Sequence, residues 1–110
     1  MILRLVDALL GLPDRWRKSI RSRRLRAQCV AHSTASLAPE AAIFNPLTPQ
    51  AITIGEQSLV MGELLVHATG GRIAIGDWGY VGPGCKIWSM TGISIGHRVF
   101  ISHGVQIFDS

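Results

Sequence analysis

Histidines are the side chains in this sequence best suited to chemistry at neutral pH. His97 and His103 each follow an aliphatic residue by two positions, whereas His67 follows Val66 directly. An imidazole can take a proton from a substrate hydroxyl, and three imidazoles can hold a zinc ion. Ordinary exposed histidines fit the same positions, so the sequence alone leaves these interpretations open.

Other chemical motifs are missing from the sequence. Glu56, Glu63 and Asp77 show no pairing with a nucleophile, and the glycines form no phosphate-binding motif. The two cysteines are Cys29 and Cys85, and without a CxxC or CxxH spacing they predict neither a disulfide framework nor a metal site. Cys85 falls where a small inward-facing residue is expected, so we predict that it lies in the core.

A six-residue repeat predicts the elements that position the histidines. A β-branched aliphatic residue recurs at Ile54, Val60, Val66, Ile75, Val81, Ile87, Ile95, Ile101 and Ile107. A helix repeats near 3.6 residues and a strand near 2, so this period belongs to neither alone. Internal repeats of this kind indicate a solenoid in which each unit forms one flat side and one corner. The aliphatic side chain is then expected to point inward on every side.

The repeat also predicts a loop at one corner of successive turns. The pattern Ile-x-Ile-Gly, with its second Ile at Ile54, Ile75 and Ile95, recurs after 21 and then 20 residues, more than three six-residue units need. The extra residues fall within His67 to Ala74 and within Trp88 to Ser94. Glycines that follow the repeat residues are expected to supply the backbone freedom of the corners. Within residues 73–110, these glycines are Gly76, Gly82 and Gly96.

The run from Leu37 to Ser110 resembles the hexapeptide-repeat acyltransferases. The residues that carry the resemblance fit the pattern IxIGxxxxVGPGxxIxxxxxIxIGxxxxISxxVxIxDS. Within that family, the sequence is similar to the branch that O-acetylates sugars in polysaccharide biosynthesis, which includes the colanic-acid acetyltransferase-like proteins. The resemblance implies a mainly β fold, a left-handed parallel β-helix, assembled as a homotrimer with sites between subunits. It also implies transfer of an acetyl group from the co-substrate acetyl-CoA to a sugar hydroxyl, with no metal cofactor.

The resemblance also implies where the site lies. In similar sequences a histidine that follows an Asp-Ser pair acts as general base, so we expect that base just beyond Ser110 and expect the chain to be truncated before it. Asp109 would border the catalytic centre, and His103 is the candidate residue near the acceptor pocket. The cofactor-binding residues stay unidentified. The alternatives are a non-catalytic β-helix fragment or scaffold, and a zinc site like that of β-helix carbonic anhydrases.

Charge divides the chain into an arm and a repeat region. Residues 1–28 hold eight of the eleven basic residues and predict a basic amphipathic helical arm. The arm either contacts anionic lipid at a membrane surface or caps the solenoid, and without an RNA-binding motif it predicts no nucleic-acid partner. Residues 29–51 are expected to form an entry segment and an irregular first turn. Residues 52–110 are expected to form the β-helix, incomplete at its C-terminal end.

The sequence also bears on where in the cell the protein is expected. Its apolar runs are shorter than the roughly 20 residues of a membrane span, and its start lacks the order of a secretory signal. A cytoplasmic protein is therefore expected, with membrane association through the arm as the alternative.

Overall fold

Short strands dominate the computed structural model, which describes residues 23–109. The strands are β1 Val30–Ala31, β2 Ser36–Leu37, β3 Ala42–Phe44, β4 Ile52–Ile54, β5 Leu59–Val60, β6 Glu63–Val66, β7 Ile73–Ile75, β8 Tyr80–Val81, β9 Lys86–Ser89, β10 Ile93–Ile95, β11 Phe100–Ile101 and β12 Gln106–Phe108. Pro49–Ala51 forms a 3-10 helix, and residues 23–26 are helical.

The strands assemble into three parallel sheets. The first sheet has the order β1-β4-β7-β10, the second β2-β5-β8-β11 and the third β3-β6-β9-β12. Each successive group of three strands therefore makes one turn, and four turns stack along the axis. The predicted mainly β, parallel solenoid is confirmed.

The core is a column of aliphatic side chains, one layer per turn. Ile54 pairs with Ile75, which pairs with Ile95, and all three side chains point into the solenoid. Ile54 is 2% exposed and Val60 and Ile87 are fully buried. Each such side chain contributes roughly 1.5–3 kcal/mol by leaving water, so the stacked column stabilises the fold. Cys85 is buried in this column at 1% exposure, as predicted.

The six-residue period breaks in the second turn. Ile87 pairs with Leu64 and not with Val66, which stands opposite Ser89. The chain passes from β5 to β6 through Met61 and Gly62 alone, whereas four residues make the same connection in the other turns. The assignment of Val66 as the equivalent of Ile87 is therefore wrong. Its fit to the period arises because Val66 also faces inward, two residues further along β6.

Three corners connect the sheets, and the third carries loops of seven and six residues in the first two turns but only three residues in the third turn. The first corner, between the first and second sheets, is formed by residues 32–35, 55–58, 76–79 and 96–99. The second corner comprises residues 38–41, 61–62, 82–85 and 102–105. The third corner, which leads to the next turn, comprises residues 45–51, 67–72 and 90–92. The predicted extra residues thus lie at one shared corner.

Gly76 and Gly82 serve close packing between turns, whereas Gly84 and Gly104 at the second corner adopt left-handed backbone angles of 73° and 70°. A Cβ on Gly76 would lie 2.8 Å from the backbone of Gly96, and one on Gly82 would lie 2.7 Å from the Ser102 carbonyl oxygen. Left-handed backbone angles also occur two residues after Gly76 and Gly96, at Trp78 with φ 58° and at Arg98 with φ 59°. The expectation that Gly76, Gly82 and Gly96 supply rotational freedom is wrong, because none of them adopts a left-handed backbone angle. At Gly76 and Gly82, the next turn fills the space where a side chain would be.

The residues before the repeat region pack onto its first turn. Residues 30–44, which lie within the segment 29–51 predicted to form the entry and an irregular first turn, give one strand to each sheet and pair in register with the second turn. The Arg26 guanidinium donates to the carbonyl oxygens of His32 and Ala35 and so joins helical residues 23–26 to the first corner. Most of the predicted arm over residues 1–28 lies outside the described residues.

Candidate functional site

The three histidines singled out in the sequence lie at three different corners. His97 is at the first corner, His103 at the second and His67 at the third. All three are exposed. Residues 23–109 contain no group of three side chains placed to hold a metal ion. Within one copy of the chain, these three histidines therefore do not converge on a shared zinc site.

Backbone N–H groups fix the orientation of two of these imidazoles. The Asp77 N–H donates to Nδ1 of His97 at 2.8 Å, and the Thr69 N–H donates to Nδ1 of His67 at 3.3 Å. Because Nδ1 accepts in both, it carries no proton in the neutral ring, and Nε2 carries it. Each ring therefore presents an N–H donor at Nε2.

His32 repeats the arrangement in the first turn. Its Nδ1 accepts from the Thr34 N–H at 3.1 Å, and the Thr34 hydroxyl lies 2.8 Å from the same atom. A His-x-Thr sequence thus forms the same local turn at His32 and at His67. The threonine two residues later, and not a distant partner, positions the ring.

His103 has a looser environment. Its Nδ1 lies 3.3 Å from the hydroxyl of the preceding Ser102, and Gly104 after it has φ 70°. No backbone N–H contact to its ring occurs among the described residues. His103 precedes β12 and Asp109 follows it, so the two predicted site residues lie at opposite ends of that strand. Their catalytic roles stay a prediction.

Asp109 closes the third corner of the turn before it. Its carboxylate accepts hydrogen bonds from the backbone N–H groups of Met90 at 2.5 Å, Thr91 at 3.1 Å and Gly92 at 2.5 Å. The hydroxyls of Ser89 and Thr91 add two more at 2.9 and 3.0 Å. The bond from Met90 first, and then those from Gly92, Ser89 and Thr91, hold the pKa of the Asp109 carboxyl well below its usual range against the effect of desolvation. A carboxylate in this state orders a loop but is a poor proton acceptor.

The same corner is linked across three turns. The Arg72 N–H donates to the Ser89 hydroxyl at 3.1 Å, and that hydroxyl donates to Asp109. Ser89 is fully buried, so both of its bonds replace lost contacts with water. Ser110, the other predicted border of the site, lies outside the described residues.

An apolar groove runs beside the third corner on the outside of the third sheet. It consists of two adjoining cavities of about 700 and 270 Å³ that share Leu65 and His67. Phe44 and Pro46 line the larger cavity, and Trp88 lines the smaller one. We call this concavity the third-sheet groove. Its volume is within the range of small-ligand sites.

The groove borders a column of outward-facing apolar side chains, which we call the aromatic ladder. In register, its members are Phe44, Leu65, Trp88 and Phe108. Phe44, Trp88 and Phe108 are 52%, 36% and 50% exposed. Exposed apolar side chains aligned in one column form a patch of the kind that marks a binding surface. The ladder and the groove are therefore the strongest candidate site on the described surface.

The sequence analysis missed this surface because it followed the inward residues. Every ladder member comes directly after an inward residue, as Trp88 follows Ile87 and Phe108 follows Ile107. Aligning the turns by their true register would have exposed the ladder. The misassignment of Val66 removed Leu65 from its place beside Trp88.

Comparisons with known proteins give no relative for this chain. Family models, curated proteins and solved structures were each searched, and none of them matches. Within residues 23–109, no helix has the length and apolar character that crossing a bilayer requires. A proposal for the function of this chain therefore rests on its fold and its surface.

Proposed function

We propose that this protein is an O-acetyltransferase that moves an acetyl group from acetyl-CoA to a sugar hydroxyl in polysaccharide biosynthesis. The observation that supports it is the parallel solenoid of four turns, built from three parallel sheets of four strands each. This is the architecture that the resemblance to hexapeptide-repeat acyltransferases implies. A left-handed sense of coiling, a homotrimer and a cytoplasmic location are parts of the same proposal.

The transfer requires a base that removes the proton from the acceptor hydroxyl as it attacks the thioester carbonyl. The general base that the resemblance implies would lie beyond Ser110, so His103 is our candidate for that role among residues 23–109, because it is exposed at the second corner and its ring has no backbone N–H donor among them. Asp109 would act by ordering the third corner beside it, since its carboxylate is engaged in five hydrogen bonds. His97 differs, because its Nδ1 accepts from Asp77 and its Nε2 carries the proton.

The test is a turnover assay with the full chain, acetyl-CoA and neutral oligosaccharide acceptors. Free thiol would be measured over time, and mass spectrometry would detect the acetylated sugar. We expect His103→Ala to lower kcat by roughly 10²- to 10⁴-fold, the usual contribution of a general base. His97→Ala is the matched control and should retain activity. Equal activity of both variants would remove His103 from the mechanism.

A non-catalytic scaffold is the second candidate function. The observation in its favour is that Asp109 has its carboxylate fully occupied in holding residues 89–92, a structural role. A folded chain with no turnover on any acceptor supports the scaffold and contradicts acetyl transfer.

The basic arm adds a proposal about location. Residues 1–28 would bring the protein to an anionic membrane surface, because seven of their basic residues are concentrated within residues 15–26. Flotation with phosphatidylserine vesicles should recover the full chain, and a chain lacking residues 1–22 should stay at the bottom of the gradient. Equal recovery of the two forms would contradict membrane contact.

A further inference from the structure

We propose that the aromatic ladder and the third-sheet groove bind a neutral saccharide chain. The ladder offers one apolar side chain per turn over four turns, in the order Phe44, Leu65, Trp88, Phe108. Strands in neighbouring turns lie about 4.7–4.9 Å apart. The platforms thus recur at a distance close to the length of one sugar ring, which suits a polymer of such rings.

The geometry of the rings suits the apolar face of a sugar. The ring centroids of Trp88 and Phe108 lie 5.1 Å apart with the planes tilted by 42°. The negative face of an aromatic ring attracts the weakly positive C–H groups that a pyranose presents on one side. Tilted rings one turn apart can each pack against a successive unit of a twisted chain.

Polar groups stand where the hydroxyl rim of a sugar would lie. The Trp88 indole Nε1 donates to Glu63 Oε2 at 2.7 Å, and the Lys86 amine lies 5.6 Å from the centre of the same ring. Gln106 occupies the next outward position beside Lys86. The edge of the ladder therefore carries an acceptor, a cation and an amide, which together can satisfy hydroxyl groups that act as both donor and acceptor.

The charge of the face selects against an anionic polymer. The outward positions of β3, β6, β9 and β12 include one acid, Glu63, and one base, Lys86, both in contact with Trp88. A phosphate polymer would require a stripe of unpaired basic side chains, and the basic residues of this chain are concentrated in residues 1–28. An uncharged ligand fits this balance.

The smaller cavity provides a position for a substituent on the ring. It measures about 270 Å³ and extends from Trp88 and Phe108 to Met90 and His67. Since the Thr69 N–H occupies His67 Nδ1, the His67 Nε2–H is a donor for a hydroxyl or carbonyl oxygen.

This inference rests on the proposed function in one respect, since the sugar bound here would be the acetyl acceptor. Binding itself requires no acetyl-CoA and is measured without it. The full chain would be applied to immobilised neutral hexasaccharides of glucose, galactose, mannose and fucose, with a hexuronate of equal length as the anionic comparison. We expect retention on at least one neutral sugar that persists at high salt, and any retention on the hexuronate to be lost at high salt, because it would come from the basic residues 1–28 and not from the ladder.

The retained hexasaccharide would then be titrated by calorimetry against two variants with the same change. Phe108→Ala removes a member of the ladder, and we expect it to weaken binding roughly tenfold. Phe100→Ala is the matched control, because Phe100 is 72% exposed on the second sheet and stacks on Tyr80 at 4.5 Å. It should change the affinity by less than about twofold. Phe108→Gln, which removes the apolar platform at a half-exposed position, replaces the alanine variant if circular dichroism shows that the latter is unfolded.

Three results would overturn the inference: retention of no neutral sugar, equal weakening by the Phe108 and Phe100 variants, or a lower molar mass of Phe108→Ala in light scattering. The last would mean that a second copy of the chain covers the ladder. Sugar binding without turnover would support the ladder and contradict acetyl transfer. Turnover with an acceptor KM that Phe108→Ala leaves unchanged would support acetyl transfer and contradict sugar binding at the ladder.

Discussion

At the scale of single residues, the most informative side chain is Asp109. Its five donors come from residues 89–92, which precede it by 17–20 positions. No local pattern around Asp109 could predict these partners, because they belong to the previous turn. The sequence suggested the border of a catalytic centre, whereas the described contacts give Asp109 a structural role.

We predict that Asp109 makes the stability of the protein depend on pH. Its pKa is lower in the folded state than the usual value of about 3.9, so it stabilises the fold above that pH. This stabilisation is progressively lost as the pH falls below about 4. Thermal unfolding at pH 7 and pH 3 should therefore show a larger drop in Tm for the wild type than for Asp109→Asn.

The asparagine variant keeps the shape of the side chain and removes its titration. It should have a lower Tm than the wild type at pH 7, because a neutral amide oxygen accepts the loop N–H groups more weakly. An identical pH dependence in the two proteins would show that Asp109 does not hold the corner.

At the scale of elements, the packing of each corner against the same corner of the next turn decides which positions require glycine. The same position is occupied by Gly55, Gly76 and Gly96 in three turns. The repeat predicted a glycine there, but backbone freedom, the reason we expected, is wrong. The first two glycines are pressed against the next turn, while Gly96 has nothing within 4 Å of its virtual Cβ.

A pair of substitutions at this position tests the explanation. Gly76→Ala would place its methyl group 2.8 Å from the Gly96 backbone, and we expect a loss of about 1–3 kcal/mol in the free energy of unfolding. Gly96→Ala adds the same methyl group in open space and should change stability by less than about 0.5 kcal/mol. Urea denaturation measures both. Equal losses would indicate a requirement for backbone freedom and not for space.

At the scale of the whole molecule, the sequence could predict the solenoid because its core is periodic along the chain. Ile75, Val81 and Ile87 lie one in each sheet of the same turn, and each pairs with the inward residue of the next turn. Their spacing along the chain therefore predicts both the sheet and the inward direction. The short second corner could not be predicted in this way, since Val66 keeps the period while Leu64 takes the paired position. The aromatic ladder was missed for the same reason, because outward residues become visible only after the turns are aligned.

Stability should be unevenly distributed along the axis of the solenoid. Ile87 is fully buried between two turns, whereas Ile107 is partly exposed in the last turn of the described structure. We expect Ile87→Ala to lower the free energy of unfolding by about 2–5 kcal/mol and Ile107→Ala by less than half as much. Urea denaturation followed by circular dichroism checks this, and equal losses would mean that the last turn is covered in solution.

The short second corner has a consequence for how the chain finds its partner strands. Turns of similar sequence invite mispairing, in which a strand joins the right sheet one level too high or too low. The connection through Met61 and Gly62 is two residues shorter than its counterparts, and a Cβ on Gly62 would lie 2.7 Å from the Cys85 carbonyl oxygen directly above it. Any pairing shifted by a whole turn would leave two residues unmatched at this point. The second turn is therefore not interchangeable with its neighbours. Its short corner favours the native register, in which every described strand pairs with its partner.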